Sequence, residues 1–587
     1  MKEQSRSMST IPRPEYPRPQ FVREDWTNLN GPWQFEIDHG KSGKERGYEQ
    51  TGHQLSGTIT VPFCPESKLS GVEYTDFMAA VWYKREFTLP DTWMSGRILL
   101  HFGAVDYEAE VWVNGTSVGK HRGGYAPFHF DITSHVLSGI NVVTVYAEDD
   151  VRSGRQPRGK QSERFHSHGC DYTRTTGIWQ TVWLESVPDV YLSDLKVVAD
   201  PDNACAHLEV KICGNAAGTQ LSASARFQGR DVGLQTAVVH GPSVKLTVPL
   251  SEIHLWEPGH AKLYDLELKL QGKNQERNDT VTSYFGLRTV RLDGMAFRIN
   301  EKSVFQRLVL DQGFYPEGIY TAPSDEDLRK DIEISMDLGF NGARLHEKMF
   351  EPRFLYWADQ LGYLVWGEHA NWGLDITTTE NLSRFLPEWV EGMERDFNHP
   401  SLIGWCPFNE TWDRSGTRQD DDVLRIVYEM TKRLDPTRPV IDTSGNFHVV
   451  TDIFDLHDYD QNPETFRARY EPMKNGGEVF NTFPERQTYG GQPYFISEYG
   501  GIWWNPDQQD EKSWGYGDRP QSEEAFIARY EGLTNVLLDH PMMFGFCYTQ
   551  LYDVEQEVNG LYTYDRRPKF DSETIRRINS RKAAIED

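Results

Sequence analysis

The sequence predicts a multidomain β plus α/β chain. It divides into a β-sandwich over residues 1–188, a smaller immunoglobulin-like β-sandwich over 189–290 and a (β/α)8 TIM barrel over 291–587. Three observations predict this. At roughly 100–200 residues per domain, 587 residues suggest about three domains. Up to about residue 290, short runs rich in Val, Tyr, Phe and Trp are broken by Gly, Pro, Asn and Asp, as strands are broken by turns. Beyond it, short apolar runs alternate with helical stretches.

In the first region WYKREFTLP, ILLHFGAVDYEAEVWVNG, NVVTVYAED and IWQTVWLESV read as strands. Asn114-Gly115 predicts a hairpin, because both residues tolerate the positive φ of a type I′ turn. In the second, DLKVVAD, HLEVKIC, VKLTVPL, YDLELKL and DTVTSYFGLRTV continue the β pattern at a length that suits an immunoglobulin-like sandwich. In the third, eight strands can be counted: VFQRLVLDQG, GARLH, YLVWGEH, LIGWCPFNE, PVIDTS, FDLHDY, PYFISEYG and MMFGFCYTQ. Helices are expected at SDEDLRKDIEISMDLG, PRFLYWADQLG, LPEWVEGMERDFN, DVLRIVYEMTKRLD and SEEAFIARYEGLTNVLLDH. Ser324 with Asp327 resembles a capping box for the first of them.

Composition narrows the function. A net charge of −27 with no basic stripe argues against nucleic acid. The six cysteines are scattered with no metal spacing, as in a reducing compartment. No signal region or membrane-length apolar run is present, so the expected location is cytoplasmic, with no membrane partner. The 17 Trp, 27 Tyr and 30 Phe offer flat faces with polar handles, which suit sugar rings or large sandwich cores.

Barrel active sites lie at the C-terminal ends of the strands. The second strand ends on Arg344 and His346, the third on Glu368, His369 and Asn371, and the fourth on Asn409-Glu410. The sixth ends on His457, Asp458 and Tyr459, the seventh on Glu498-Tyr499, and the eighth on Tyr548 and Gln550. Two carboxylates at one rim are what glycosidic bond cleavage needs: one gives a proton to the leaving oxygen, the other attacks the anomeric carbon. Glu410, between Phe408 and Trp412, is the candidate acid, and those aromatics are expected to keep it protonated by desolvation. Glu498 is the candidate nucleophile, and Asn409 can hydrogen-bond a sugar 2-hydroxyl. Trp503 and Trp504 either stack on a sugar face or pack against a neighbouring loop. His457, Tyr459, Tyr548, Glu557 and Asn559 are further candidates for the sugar pocket. No second ligand sits at a metal spacing from His346 or His369, so no metal and no cofactor is expected.

These motifs resemble glycoside hydrolase family 2, the group of β-galactosidases, β-glucuronidases and β-mannosidases. DYTRTTGIWQTVWLE (171–185) is similar to its sandwich signature, HPSLIGWCPFNE (399–410) to its acid/base signature and ISEYG (496–500) to its nucleophile motif. The resemblance implies a sugar-binding-like jelly-roll sandwich ahead of the other two domains. It implies retaining exo-hydrolysis with Glu410 as acid/base and Glu498 as nucleophile. It also implies a sandwich loop carrying Asp171 and Arg174 into the site. Two departures bear on the substrate. The His usual three residues after the nucleophile in large β-galactosidases is absent here, where SEYGGIWW carries Gly501 at that position and Ile502 next. The Asn-x-Lys by which β-glucuronidases grip a carboxylate is missing from residues 503–507, leaving Arg344 and Lys348 as the cations at hand. The expectation is therefore an exo-β-glycosidase for a neutral sugar, β-galactosidase-like, with β-glucuronidase and β-galactofuranosidase or pentosidase as alternatives. A non-hydrolytic carbohydrate-binding protein is the reading from another class. The expected partner is a small carbohydrate, and the expected assembly a homo-oligomer, dimer or tetramer.

Overall fold

The computed structural model describes residues 11–272, 277–508 and 512–586. The first sandwich packs a six-stranded sheet on a four-stranded one, with Trp33, Tyr83, Leu100, Val111, Val145 and Leu184 in its core. Its predicted hairpin joins Glu108–Val113 to Thr116–Arg122, and the turn residues Asn114 and Gly115 adopt φ of 51° and 80°, as a type I′ turn requires. The second sandwich pairs sheets of three and four strands. Its strand Ser243–Pro249 alternates exposed and buried side chains along its length, the period-two pattern of a sheet with one wet face.

The barrel strands are Gln306–Asp311, Gly342–Leu345, Leu364–Glu368, Leu402–Cys406, Thr443–Ser444, Phe454–Asp458, Tyr494–Tyr499 and Met543–Tyr548. Seven form one parallel sheet in the order four, three, two, one, eight, seven, six. Strand four continues as Phe408–Asn409, which pairs in parallel with strand five. Ser444 Oγ then donates to Asp455 Oδ2 at 2.6 Å, tying strand five to strand six. The strands are largely apolar runs because both faces of a barrel sheet are covered, and polar side chains gather at their C-terminal ends.

All five predicted helices form. Ser324 caps the first by accepting from the Asp327 amide. Two short helices, Pro463–Tyr470 and Ser572–Asn579, were not anticipated, although Asn462-Pro463 and Asp571 are ordinary start signals. No helix lies between strands five and six, where residues 445–453 run as a loop.

The first sandwich shares its core with the barrel. Tyr172 packs edge-on against Phe314 at 4.9 Å, and Trp179 lies 5.2 Å from Tyr320. This docking brings the loop of residues 151–174 over the rim of the barrel. Among the described residues no helix is long and apolar enough to cross a membrane, and all six cysteines are free thiols.

Candidate active site

Glu498 and Glu410 meet at the C-terminal rim of the barrel. One carboxylate oxygen of each, with a ring nitrogen of His457, lies within 4.8 Å of the other two atoms. Glu498, at the end of strand seven, is deep: Oε1 accepts from Arg344 Nη1 at 3.0 Å, and Oε2 accepts from the Tyr459 hydroxyl. Arg344 is a hub at 1% exposure. It also donates to Glu368 Oε1 at 2.6 Å, to the Ser497 carbonyl at 2.8 Å and to Asn409 Oδ1 at 3.0 Å. Its guanidinium is thus consumed in holding the nucleophile candidate and two neighbouring strand ends. Among the described residues the buried Asn409 Nδ2 has no hydrogen-bond partner, which leaves an amide donor for a sugar hydroxyl.

Glu410 follows strand four with φ of 44°, a left-handed conformation that costs a non-glycine residue energy and often marks a functional position. Its amide donates to the Ser444 carbonyl at 2.9 Å, and its Oε1 sits 2.7 Å from His457 Nδ1. His457 Nε2 is 3.0 Å from Ser444 Oγ and 3.4 Å from Glu498 Oε1. Gly445 makes room for this ring, since a Cβ there would lie 2.5 Å from Nδ1. Burial pushes the Glu410 carboxyl up, but the His457 hydrogen bond and charge, with Lys160 behind them, leave it below the ordinary range. Burial works against the His457 imidazolium, yet Glu498 and Glu410 hold its pKa above normal.

The expected aromatic cage around Glu410 is therefore corrected. Phe408 stacks on Phe385 in the core, and Trp412 turns to Phe447 and Phe483. The hydrogen-bonding neighbour of Glu410 is instead His457. The Glu410–His457 pair holds one proton until the pH rises through the raised His457 value. For His457→Asn we expect the alkaline limb of kcat/KM to move to lower pH, because the group that held the proton above the ordinary histidine range is gone. A limb that stays in place would show that His457 is no proton reservoir.

The sandwich loop supplies a cation that had not been anticipated. Gly159, at φ of 58°, has no room for a Cβ against the Glu347 carbonyl, and this close approach delivers Lys160 to the site. Its buried ammonium lies 3.7 Å above the Trp372 ring and is held charged by neighbours that include Glu410 and Glu557. Among the described residues it has no hydrogen-bond acceptor. Glu557 accepts from the Tyr172 hydroxyl at 2.5 Å and from Asn559 Nδ2 at 2.9 Å; burial raises its pKa while Lys160 opposes the rise. Asp171 reaches the rim and is held by Arg158 at 2.6 Å. Tyr516 stacks flat on Tyr459 at 3.5 Å, and Trp514 donates to the Gly169 carbonyl at 2.6 Å, tying this loop to the sandwich loop.

Other predicted residues lie elsewhere. Arg174 spends its guanidinium on the carbonyls of Ser162, Arg164 and Thr75, clamping the loop from behind. Trp504 packs against Phe526, and the Arg519 guanidinium lies over the Trp503 ring at 4.2 Å. Tyr548 is fully buried among Tyr499 and Tyr530 and supports the Glu498 loop by accepting from the Ile502 amide. His346 and Glu368 pair at 3.1 Å as a buried layer beneath Glu498. Lys348 donates to the carbonyls of Gly313 and Tyr320 and is no cation for the pocket; burial lowers it to about 7.

Two strand-end carboxylates, a buried amide and a loop from a second domain thus come together at one rim of the barrel. The chain belongs to glycoside hydrolase family 2. Residues 26–188 match the family's sugar binding domain, 190–288 its central domain and 319–582 its TIM barrel domain. A β-glucuronidase of Paenibacillus borealis is 26% identical over 72% of this chain and 74% of its own length. A β-glucuronidase of Canis lupus familiaris is 28% identical over 72% and 69%. A β-galactosidase of Thermoanaerobacter pseudethanolicus is 28% identical over 66% of this chain and 52% of its own length. Among solved structures, the Lactobacillus rhamnosus β-glucuronidase superposes with a TM-score of 0.78 at 21% identity, covering 96% of this chain and 99% of that one. The Ruminococcus gnavus β-glucuronidase in complex with D-glucuronic acid gives 0.78 at 20% identity over the same shares.

Proposed function

We propose that the protein is a retaining exo-β-glycosidase that removes terminal β-linked sugars. The observation that carries this is the approach of the Glu410 and Glu498 carboxylates to within 4.8 Å. In retaining glycosidases the two carboxyl groups are about 5–5.5 Å apart, whereas inverting enzymes leave room for a water between them. Glu498, oriented by Arg344 and Tyr459, attacks the anomeric carbon. Glu410 passes the proton of the Glu410–His457 pair to the leaving oxygen, then draws a proton from the water that releases the sugar. Asn409 Nδ2 bonds the 2-hydroxyl as charge develops. The sandwich loop carrying Lys160 and Asp171 closes the glycone end, which favours cleavage at chain ends.

For the glycone, the named relatives support β-glucuronide more than the β-galactoside expected from the motif departures. The pocket contributes Lys160, a buried ammonium without a hydrogen-bond acceptor, suited to a uronate carboxylate. A neutral sugar is the second reading, favoured by Glu557: its oxygens retain lone pairs for hydroxyls and its charge opposes a uronate. A panel of aryl β-glucuronide, β-galactoside and β-galactofuranoside decides between them. The first reading predicts the highest kcat/KM for the glucuronide. It also predicts a loss of about 100-fold on it in Lys160→Met, the worth of about 3 kcal/mol of charge-assisted bonding. A neutral glycoside as the better substrate, with Lys160→Met costing all sugars alike, would overturn it.

A further inference from the structure

A cavity of about 620 Å³ opens beside the glycone pocket and includes Glu410 in its lining. Its volume falls within the range of about 300–1,000 Å³ typical of small-molecule sites. Glu410 faces it: the Glu410 side chain is 24% exposed, whereas that of Glu498 is 5% exposed. A leaving group protonated by Glu410 departs into this space. Trp412 borders it and is 48% exposed, unusual for so large an apolar side chain. Phe447 and Phe483 hold the indole edge-on, at 5.6 and 6.0 Å between ring centres. Trp412 is therefore fixed in position while much of its surface is uncovered.

The rest of the cleft is built with comparable rigidity. Trp372, Leu374 and Ile376 form an apolar floor, and Trp372 Nε1 donates to the Asn409 carbonyl at 3.1 Å. The sandwich loop is stitched to this floor through backbone bonds: the Arg158 amide to the Trp372 carbonyl at 2.7 Å, and the Asp375 amide to the Gly154 carbonyl at 2.9 Å. Asp413 and Arg414 supply polar groups at the edge. Trp412 offers an exposed ring to the apolar face of a sugar, and Arg152, Arg158, Glu163, Asp413 and Arg414 on the lining offer hydrogen-bond partners to its peripheral hydroxyls.

We propose that this cleft is an aglycone subsite that seats a second sugar ring on Trp412, so that the enzyme acts on the ends of oligosaccharides. The proposal rests on Glu410 being the residue that protonates the leaving group. The test compares kcat/KM for a β-glucuronosyl-glucose disaccharide with that for methyl β-D-glucuronide, whose aglycone is too small to reach Trp412. In Trp412→Ala the disaccharide-to-methyl ratio falls about tenfold, and Trp412→Phe, which keeps a ring, recovers most of it. An unchanged ratio, including equal loss on both substrates, overturns the subsite. A phenyl-to-methyl glucuronide ratio that falls further than the disaccharide ratio assigns the platform to aromatic aglycones and overturns the sugar assignment. If the unaltered enzyme cleaves neither glucuronide, the glycone reading fails, and the same ratios measured on the matching galactosides decide the subsite.

Discussion

Glu498→Ala abolishes turnover, with kcat falling on the order of 10⁴-fold or more, while the protein stays folded. The loss is large because Glu368, the buried carboxylate that shares Arg344 with Glu498, is committed to Arg344 and His346 and cannot take its place. The fold survives because each partner of Glu498 has another contact. Arg344 retains Glu368, the Ser497 carbonyl and Asn409, and the Tyr459 hydroxyl retains Thr549 Oγ1 at 3.1 Å. Removing one partner of a buried pair is severe when the other is left alone, and here it is not. The check is steady-state kinetics beside a thermal melt. Rates near those of the unaltered protein would remove Glu498 from the mechanism, and restored turnover with added azide would place the loss at the attacking group.

Glu410→Ala gives the second large effect, and its size depends on the leaving group. For alkyl or sugar aglycones, which need a proton to depart, the rate falls about 10²–10⁴-fold, the usual worth of a positioned general acid. For a dinitrophenyl aglycone the first step needs little help, so its rate constant for formation of the glycosyl-enzyme changes far less. A series of aryl glycosides plotted against leaving-group pKa shows this as a steeper slope in the variant. Equal loss across the series would count against an acid role.

Much of this site could be read from the chain alone. Barrel strands are buried apolar runs, so the point where each run turns polar marks the rim, and Asn409, Glu410 and Glu498 stand at such points. The hairpin at Asn114-Gly115 and the cap at Ser324 were legible because their chemistry is local. Side-chain partnerships were not. In the sequence His457 stands only as a candidate for the sugar pocket, because nothing near it shows that it meets Glu410, 47 residues away. Lys160 lies in a sandwich loop with no motif of its own, and its role follows from how that loop docks on the barrel. Trp503 and Trp504 adjoin the nucleophile in sequence, which leaves stacking on a sugar and packing against a loop equally open; in the fold Trp504 meets Phe526 and Trp503 lies under Arg519. A pair of aromatics after a strand end signals an aromatic-rich loop, but not which ring faces the ligand.

The most direct test of the account is to trap the intermediate it requires. A 2-deoxy-2-fluoro glycosyl fluoride of the preferred glycone slows both steps and, with its good leaving group, lets a retaining enzyme accumulate as the glycosyl-enzyme. Mass spectrometry of the digested protein should then show the fluorosugar mass once, on the peptide containing Glu498. A label on another residue would contradict the assignment of Glu498. An unlabelled enzyme that releases its product with the opposite anomeric configuration would contradict the double-displacement mechanism itself.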